Sequence, residues 1–373
     1  MKIILKFRAL GITLSLVLLC SCATTFQQSA IVPATELPAD ATINKSAGRG
    51  DMLFVTLRLE DGQELSFGVD TGAEGTVFDK SLESKLGKRL GTKTLSGWHG
   101  KTESALYAAP NLYFGNVRLM TGNEVATGDF QRQSLMTGRP VMGILGMDCL
   151  KHYCIQLDFE AGKIRFLNSD QMDATTLGKD FPLTFKGNCP FIHHVSFAGG
   201  KDTHSLIDSG CVSDGFVEQG AVEGEKFETV HLQECVWSGE SYSNLFVQGG
   251  ANVIGLKFLA RHLVTLDFPK QTMYLKRTSV GPLVDKNVET AMQFLKDLKE
   301  KGQLPGWSKG ESGETAYPEA NSSNSVTFNI GKKDDSSIYH YTIARTSKDN
   351  PWKLEKAWRT DQNGKTIEEY PVP

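Results

Sequence analysis

From Met52 onward the chain runs in short apolar–polar alternations. MLFVTLRLE, Asp61-Gly62 and QELSFGVD predict two strands joined by a tight turn, because Asp-Gly tolerates the backbone such turns need. In the second strand Leu65, Phe67 and Val69 alternate with Ser66, Gly68 and Asp70. A period of two therefore puts Asp70 on the face opposite the core residues. Short strands with glycine-rich turns continue to about residue 277, which predicts a mostly β body. Beyond residue 280 the period changes. In KNVETAMQFLKDLKEKG (286–302), Val288, Ala291, Met292, Leu295 and Leu298 form one helical stripe, with Gly302 as its stop. GWSKGESGETAYPEANSSN (306–324) reads as a polar loop. SVTFNI, IYHYTIAR, WKLEKAWR and KTIEEYPV then read as three or four strands, with Asn363-Gly364 as a hairpin turn. Residues 281–373 thus read as a small α+β domain without a catalytic constellation.

The N-terminus has a different character. Lys2, Lys6 and Arg8 precede an apolar run from Ala9 to Leu19, which is shorter than a membrane span and has the form of an export signal. Leu19-Cys20-Ser21-Cys22 resembles the bacterial lipobox, which implies a signal peptide over 1–21 and lipidation at Cys22. Ala23 in place of Asp implies sorting to the outer membrane, so the expected location is the bacterial cell envelope, facing periplasm or exterior. Residues 22–48, rich in Ala, Thr, Pro and Ser, read as a flexible tether.

Composition narrows the classes. The 373 residues are 40% hydrophobic and 22% charged, as in packed globular proteins. A net charge of −3 gives no general field for nucleic acid. Export would place Cys149, Cys154, Cys189, Cys211 and Cys235 in an oxidising compartment, where an odd count leaves at least one unpaired within the chain. Cys149-x-x-His152-x-Cys154 lacks the second ligand cluster of a zinc site and reads as a helix with two half-buried thiols.

The chain contains an internal repeat. GILGMDCLKHYCIQLDFEAGKIRFL (143–167) lies over NVIGLKFLARHLVTLDFPKQTMYLK (252–276) without a gap, and FGVDTGAEGTVF (67–78) matches SLIDSGCVSDGF (205–216). Each copy runs hairpin, Asp-hydroxyl-Gly, variable middle, two apolar residues with Gly, short helix and closing hairpin. The second copy has the shorter middle. The expected boundaries are a first lobe over 49–170 and a second over 171–280.

Asp70-Thr71-Gly72 and Asp208-Ser209-Gly210 carry the chemistry. One such triplet is ordinary turn composition, but two, each at a strand end and each followed by an apolar-apolar-Gly segment, form a pattern. Two carboxylates held together resist double ionisation and keep one proton between them, so one serves as base and the other as acid. Glycine permits the close approach and the hydroxyls can bond across to the opposite lobe.

On these residues the chain resembles the retropepsin-like aspartic proteases through V-D-T-G-A-E-G-T (69–76) and G-I-L-G-M-D-x-L (143–150). I-D-S-G-C (207–211) with V-I-G-L-K-F-L (253–259) resembles a second such lobe, giving a pepsin-like pair. The resemblance implies two aspartic-protease-like β-barrels from one duplication. It implies a catalytic dyad of Asp70 and Asp208, with Thr71 and Ser209 as hydroxyl lock and Gly72 and Gly210 as turn residues. Ile144-Leu145-Gly146 and Val253-Ile254-Gly255 would lie beneath. It further implies a β-hairpin flap, for which TLSGWHGKTESALYA (94–108) supplies Trp98, His99 and Gly100, and VWSGESYSN (236–244) supplies Trp237 as a shorter counterpart.

The second lobe departs at Cys211 and at Asp214, which reads as a solvated side chain. Other constellations fall away. The Gly-Lys-Thr runs at 100–102 and 364–366 have Leu95 and Arg359 where a phosphate loop needs Gly. His193-His194 lies in an alternating strand, with one ring facing in and one out. Asp158 and Asp267 read as turn residues. The expectation is an aspartic endopeptidase acting on peptide or protein substrates without metal or cofactor, as a monomer or, if the first lobe pairs with a second copy, a dimer. The alternative is an inactive peptidase fold that binds peptides or envelope partners.

Overall fold

A computed structural model describes residues 36–97, 100–197, 203–218, 229–237, 239–277, 286–309, 311, 317–332 and 335–372. The signal segment 1–21, Cys22, Trp98 and His99 lie outside the described residues. Strands hold 48% of the described residues and helices 14%, so the fold is mostly β. Among the described residues no helix is long and apolar enough to cross a membrane.

Alternation forms the first hairpin. Phe54–Leu59 pairs with Glu64–Val69, Gly62 takes a left-handed φ of 87°, and Asp61 accepts the Gln63 N–H at 2.9 Å. Leu65, Phe67 and Val69 are buried. The Asp70 strand, Glu64–Val69, then pairs in parallel with Gly143–Leu145, which also pairs antiparallel with Val77–Asp79. The Asp208 strand, His204–Asp208, makes the same parallel pairing with Val253–Gly255, which pairs antiparallel with Gly215–Glu218. These belong to a nine-stranded and a seven-stranded sheet. After each parallel strand comes one short helix, α2 (Met147–Leu150) or α3 (Leu256–Leu259), entered through Gly146 or Gly255. The helix preceding the first of these is α1 (Gln131–Thr137).

The lobes share a third sheet. Cys154–Asp158 pairs antiparallel with His262–Asp267, Ile155 opposite Leu266, and each has its own hairpin partner on the outside. Aliphatic and aromatic side chains from both lobes form one continuous core across it. Asp158 and Asp267 end their strands as turn residues, accepting the N–H of Ala161 (2.8 Å) and of Lys270 (3.1 Å).

Four local readings need correction. Residues 41–48, placed in the tether, are part of the body. Ala41–Thr42 forms an edge strand of the shared sheet, Ile43 and Ala47 are buried, and Gly48, at φ 71°, has room for no side chain against Ala260. Polar composition hid the two apolar anchors. Cys149 lies on α2 and Cys154 in the next strand, both fully buried rather than half-buried on one helix. His194 leaves the strand with a left-handed φ of 57°, so neither ring is in the core; His193 stands across from His204 with ring centroids 4.1 Å apart. Within the polar stretch 306–324, Tyr317–Ser322 is an edge strand, the place in a sheet where Pro318 costs no ladder bond.

That strand completes a five-stranded antiparallel sheet with Ser325–Gly331, Ile338–Ala344, Lys353–Thr360 and Thr366–Tyr370. Helix α4 (Lys286–Glu300) lays Ala291 and Leu295 on the core of this sheet. The C-terminal module rests on α1 of the first lobe, where the Asn329 side chain donates to the Met136 carbonyl at 3.0 Å.

Candidate active site

The two Asp-hydroxyl-Gly loops meet because each follows a strand buried in its own lobe and the shared sheet holds the lobes face to face. Their hydroxyls interlock reciprocally. The Thr71 N–H donates to Ser209 Oγ and the Ser209 N–H to Thr71 Oγ1, both at 3.0 Å. Thr71 Oγ1 donates to the Ile207 carbonyl (2.6 Å) and Ser209 Oγ to the Val69 carbonyl (2.8 Å). Both side chains are fully buried. Four such bonds, at about 0.5–1.5 kcal/mol each, fix the approach of the loops.

The glycines measure how close the carboxyls come. A Cβ on Gly72 would lie 2.6 Å from the Asp208 carboxyl carbon, and one on Gly210 would lie 2.4 Å from that of Asp70. Each carboxyl thus rests where the opposite glycine has no side chain, and the two are within hydrogen-bonding reach of each other. The Gly72 N–H donates to Asp70 Oδ1 and the Gly210 N–H to Asp208 Oδ1, both at 2.8 Å; the Cys211 N–H adds a second bond to Asp208 at 3.1 Å. Burial pushes both acids above the ordinary carboxylate range. For Asp208 the shift is the larger, since the neighbouring Asp70 charge adds to burial. The pair is therefore placed to share one proton between them.

Beneath the loops the repeat is again visible. The Met147 N–H donates to the Ala73 carbonyl (2.9 Å), and the Leu256 N–H to that of Cys211 (2.6 Å). Ile144 and Leu145 on one side, and Val253 and Ile254 on the other, are buried beneath.

Two thiols border the dyad. Cys189 Sγ donates to the Gly72 carbonyl at 3.2 Å, and Cys211 follows the Asp208 loop. Burial pushes both up to about 12, so they stand as neutral thiols. Nothing in the sequence singled out Cys189. Arg261 was also missed. It pairs with Asp214, which has no solvent exposure, at 3.1 Å, so the solvated reading of Asp214 is corrected. The signal was available in the repeat, which sets Asp214 opposite Thr76 and so asks what neutralises the new charge.

The two segments expected as flaps take different places in the two lobes. In the first lobe Arg89–Gly97 and Gly100–Ala108 form a hairpin whose base pairs with Glu124–Gly128. Gly100 opens its second strand, opposite Gly97. Trp237 is not a counterpart. The second strand of its hairpin, Glu240–Gly250, itself pairs in parallel with Gly215–Glu218, the place Glu124–Gly128 holds in the first lobe. Among the described residues of the shorter middle there is no separate hairpin. Trp237 is 1% exposed and packs on Phe181 and Phe258, with ring centroids 4.9 and 5.0 Å away. Among the described residues no group of three or more His, Cys, Asp and Glu side chains is arranged to hold a metal ion.

Residues 55–149 match the family model of the aspartyl proteases, a stretch that contains Asp70-Thr71-Gly72 and Ile144-Leu145-Gly146. No curated protein matches the chain. The match supports an aspartic protease family and a hydrolase, and the mostly β architecture agrees with an aspartic-protease-like fold.

Proposed function

We propose that the chain is a bilobal aspartic endopeptidase, its halves related by duplication, which hydrolyses peptide bonds with a water activated between Asp70 and Asp208. One observation carries the reading: the reciprocal Thr71–Ser209 lock that brings both carboxyls against each other's glycine within a single chain. In the singly protonated pair, the ionised carboxylate takes a proton from the water as the water's oxygen attacks the carbonyl carbon. The protonated partner gives its proton to the carbonyl oxygen, forming a neutral tetrahedral diol. Collapse returns a proton to the leaving nitrogen, breaks the C–N bond and restores the shared proton. The first-lobe hairpin would cover the extended substrate, with Trp98, His99 and Gly100 at its tip. Lipidation at Cys22 would tether the enzyme to the envelope membrane. The ordered dyad favours this reading over an inactive peptide binder.

Asp70→Asn and Asp208→Asn test it. Each is expected to abolish cleavage of a denatured protein substrate while leaving the fold intact, with chelators having no effect. Full turnover in either folded variant would refute the dyad.

A further inference from the structure

The two acid loops are anchored by different chemistry. In the first lobe Thr76 Oγ1 accepts the Gly146 N–H (3.3 Å) and donates to Asp148 Oδ1 (2.7 Å). In the second, the equivalent Asp214 takes over both ends of that bracket. Its carbonyl accepts the Gly255 N–H (2.9 Å), and its carboxylate accepts the Phe246 N–H (2.8 Å) and Arg261 Nη2 (3.1 Å). Arg261 in turn reaches the Ser243 carbonyl through Nη1 at 3.1 Å. The pair is sealed, with side-chain exposures of 7% for Arg261 and 0% for Asp214. The Asp214–Arg261 pair therefore sits without solvent in the segment that continues from Asp208.

We propose that Arg261 is a positioning residue for the Asp208 loop, fixing Asp214 at its far end through the buried ion pair; its catalytic consequence rests on the peptidase reading. A buried carboxylate stripped of its cation must either take up a proton or leave its field on its neighbours, whereas removing both partners together leaves no buried charge behind. Among the described residues, Asp70, Cys189 and Cys211 are the titratable groups at the Asp208 carboxyl, with Glu74 acting on Cys189, and Arg261 and Cys235 are those at Asp214, with His262 beside Arg261. Burial keeps all three thiols neutral, so Arg261 is the cation that answers Asp214. Loss of the guanidinium leaves an anion whose field favours the protonated dyad, and the basic limb of the rate profile moves to higher pH.

Three variants test this: Arg261→Met, Arg261→Lys, and Arg261→Met combined with Asp214→Asn. With a peptide substrate, Arg261→Met is expected to lower kcat about tenfold or more, with KM within about threefold and the basic limb raised. The double variant is expected to return the wild-type limb and most of kcat. Arg261→Lys, which keeps the charge, should keep the wild-type limb. A folded Arg261→Met with wild-type kcat and profile overturns the proposal, as does a double variant that stays as impaired and as shifted as the single. If Arg261→Met fails to fold, a shifted limb in Arg261→Lys or in the double variant overturns it, and the wild-type limb in both supports it. Carbon-13 NMR titration of the Asp70 and Asp208 carboxyls reads the same shift without substrate. A shift in Arg261→Met beside a wild type that cleaves nothing would end the peptidase reading while keeping Arg261's role. Turnover in the wild type with no shift would end this proposal alone.

Discussion

At the scale of residues, the site is a matter of hydroxyls and missing side chains. Thr71→Val and Ser209→Ala each remove a donor and leave buried backbone groups unpaired, at a cost of about 1–3 kcal/mol. Chemical denaturation should show that loss, together with a fall in kcat that exceeds any change in KM. Gly72→Ala and Gly210→Ala displace the opposite carboxyl by direct overlap and should abolish turnover. Retained far-UV circular dichroism with lost peptide cleavage is the expected pair of results; full activity in either would contradict the close approach. Asp70, Thr71, Gly72 and their partners were legible in the sequence because strand period fixed their face and the repeat fixed their pairing. Arg261 was not, since its partner lies far along the chain and only folding brings the two together. Trp237 was misread because an aromatic beside Gly at a hairpin tip looks alike whether the hairpin leans over a cleft or into a core.

At the scale of elements, period gave the strands and turn chemistry gave their ends, as at Asp61-Gly62 and Asn363-Gly364, where Gly364 has φ 78°. What the period could not give was which polar stretch would pair. Ala41–Thr42 and Tyr317–Ser322 are edge strands with little apolar pattern of their own, recruited by neighbours that have it. The hairpin of the second lobe also carries a buried histidine. His262 Nε2 meets the Tyr242 hydroxyl at 3.0 Å and its Nδ1 faces the Phe258 carbonyl at 3.2 Å; burial lowers its pKa to about 4. A folded-state pKa below the unfolded value of about 6.5 gives stability that is present at neutral pH and lost as pH falls from about 6.5 towards 4. The contribution is on the order of 3 kcal/mol, and His262→Gln should flatten that part of a plot of unfolding free energy against pH. The raised dyad carboxyls act in the opposite sense, holding their proton more tightly when folded and so favouring the native state in acid. In His262→Gln this opposite slope should stand out.

At the scale of the whole molecule, the shared sheet joins the two lobes and the C-terminal module docks on the first. The module is tied to the first lobe through a buried chain: the Met136 carbonyl, the Asn329 amide, then His340 and Thr360, with contacts of 3.0, 2.8 and 2.9 Å. Asn329→Ala leaves the Met136 carbonyl and the His340 Nδ1 without these bonds. It should lower the stability of the folded chain by about 1–3 kcal/mol, measured by thermal unfolding, with little change in peptide cleavage. Loss of cleavage at full stability would instead give the module a part in the chemistry. The module's helix and strands were readable from period, whereas its seat on α1 was not, because the docking polar groups look like ordinary surface residues until they are buried.

The antiparallel ladder between Cys154–Asp158 and His262–Asp267 joins two acid loops that belong to the same polypeptide. On the peptidase reading, such a site would have no assembly equilibrium to satisfy. Its rate per molecule should stay constant under dilution, where a site built from two separate copies would fall apart.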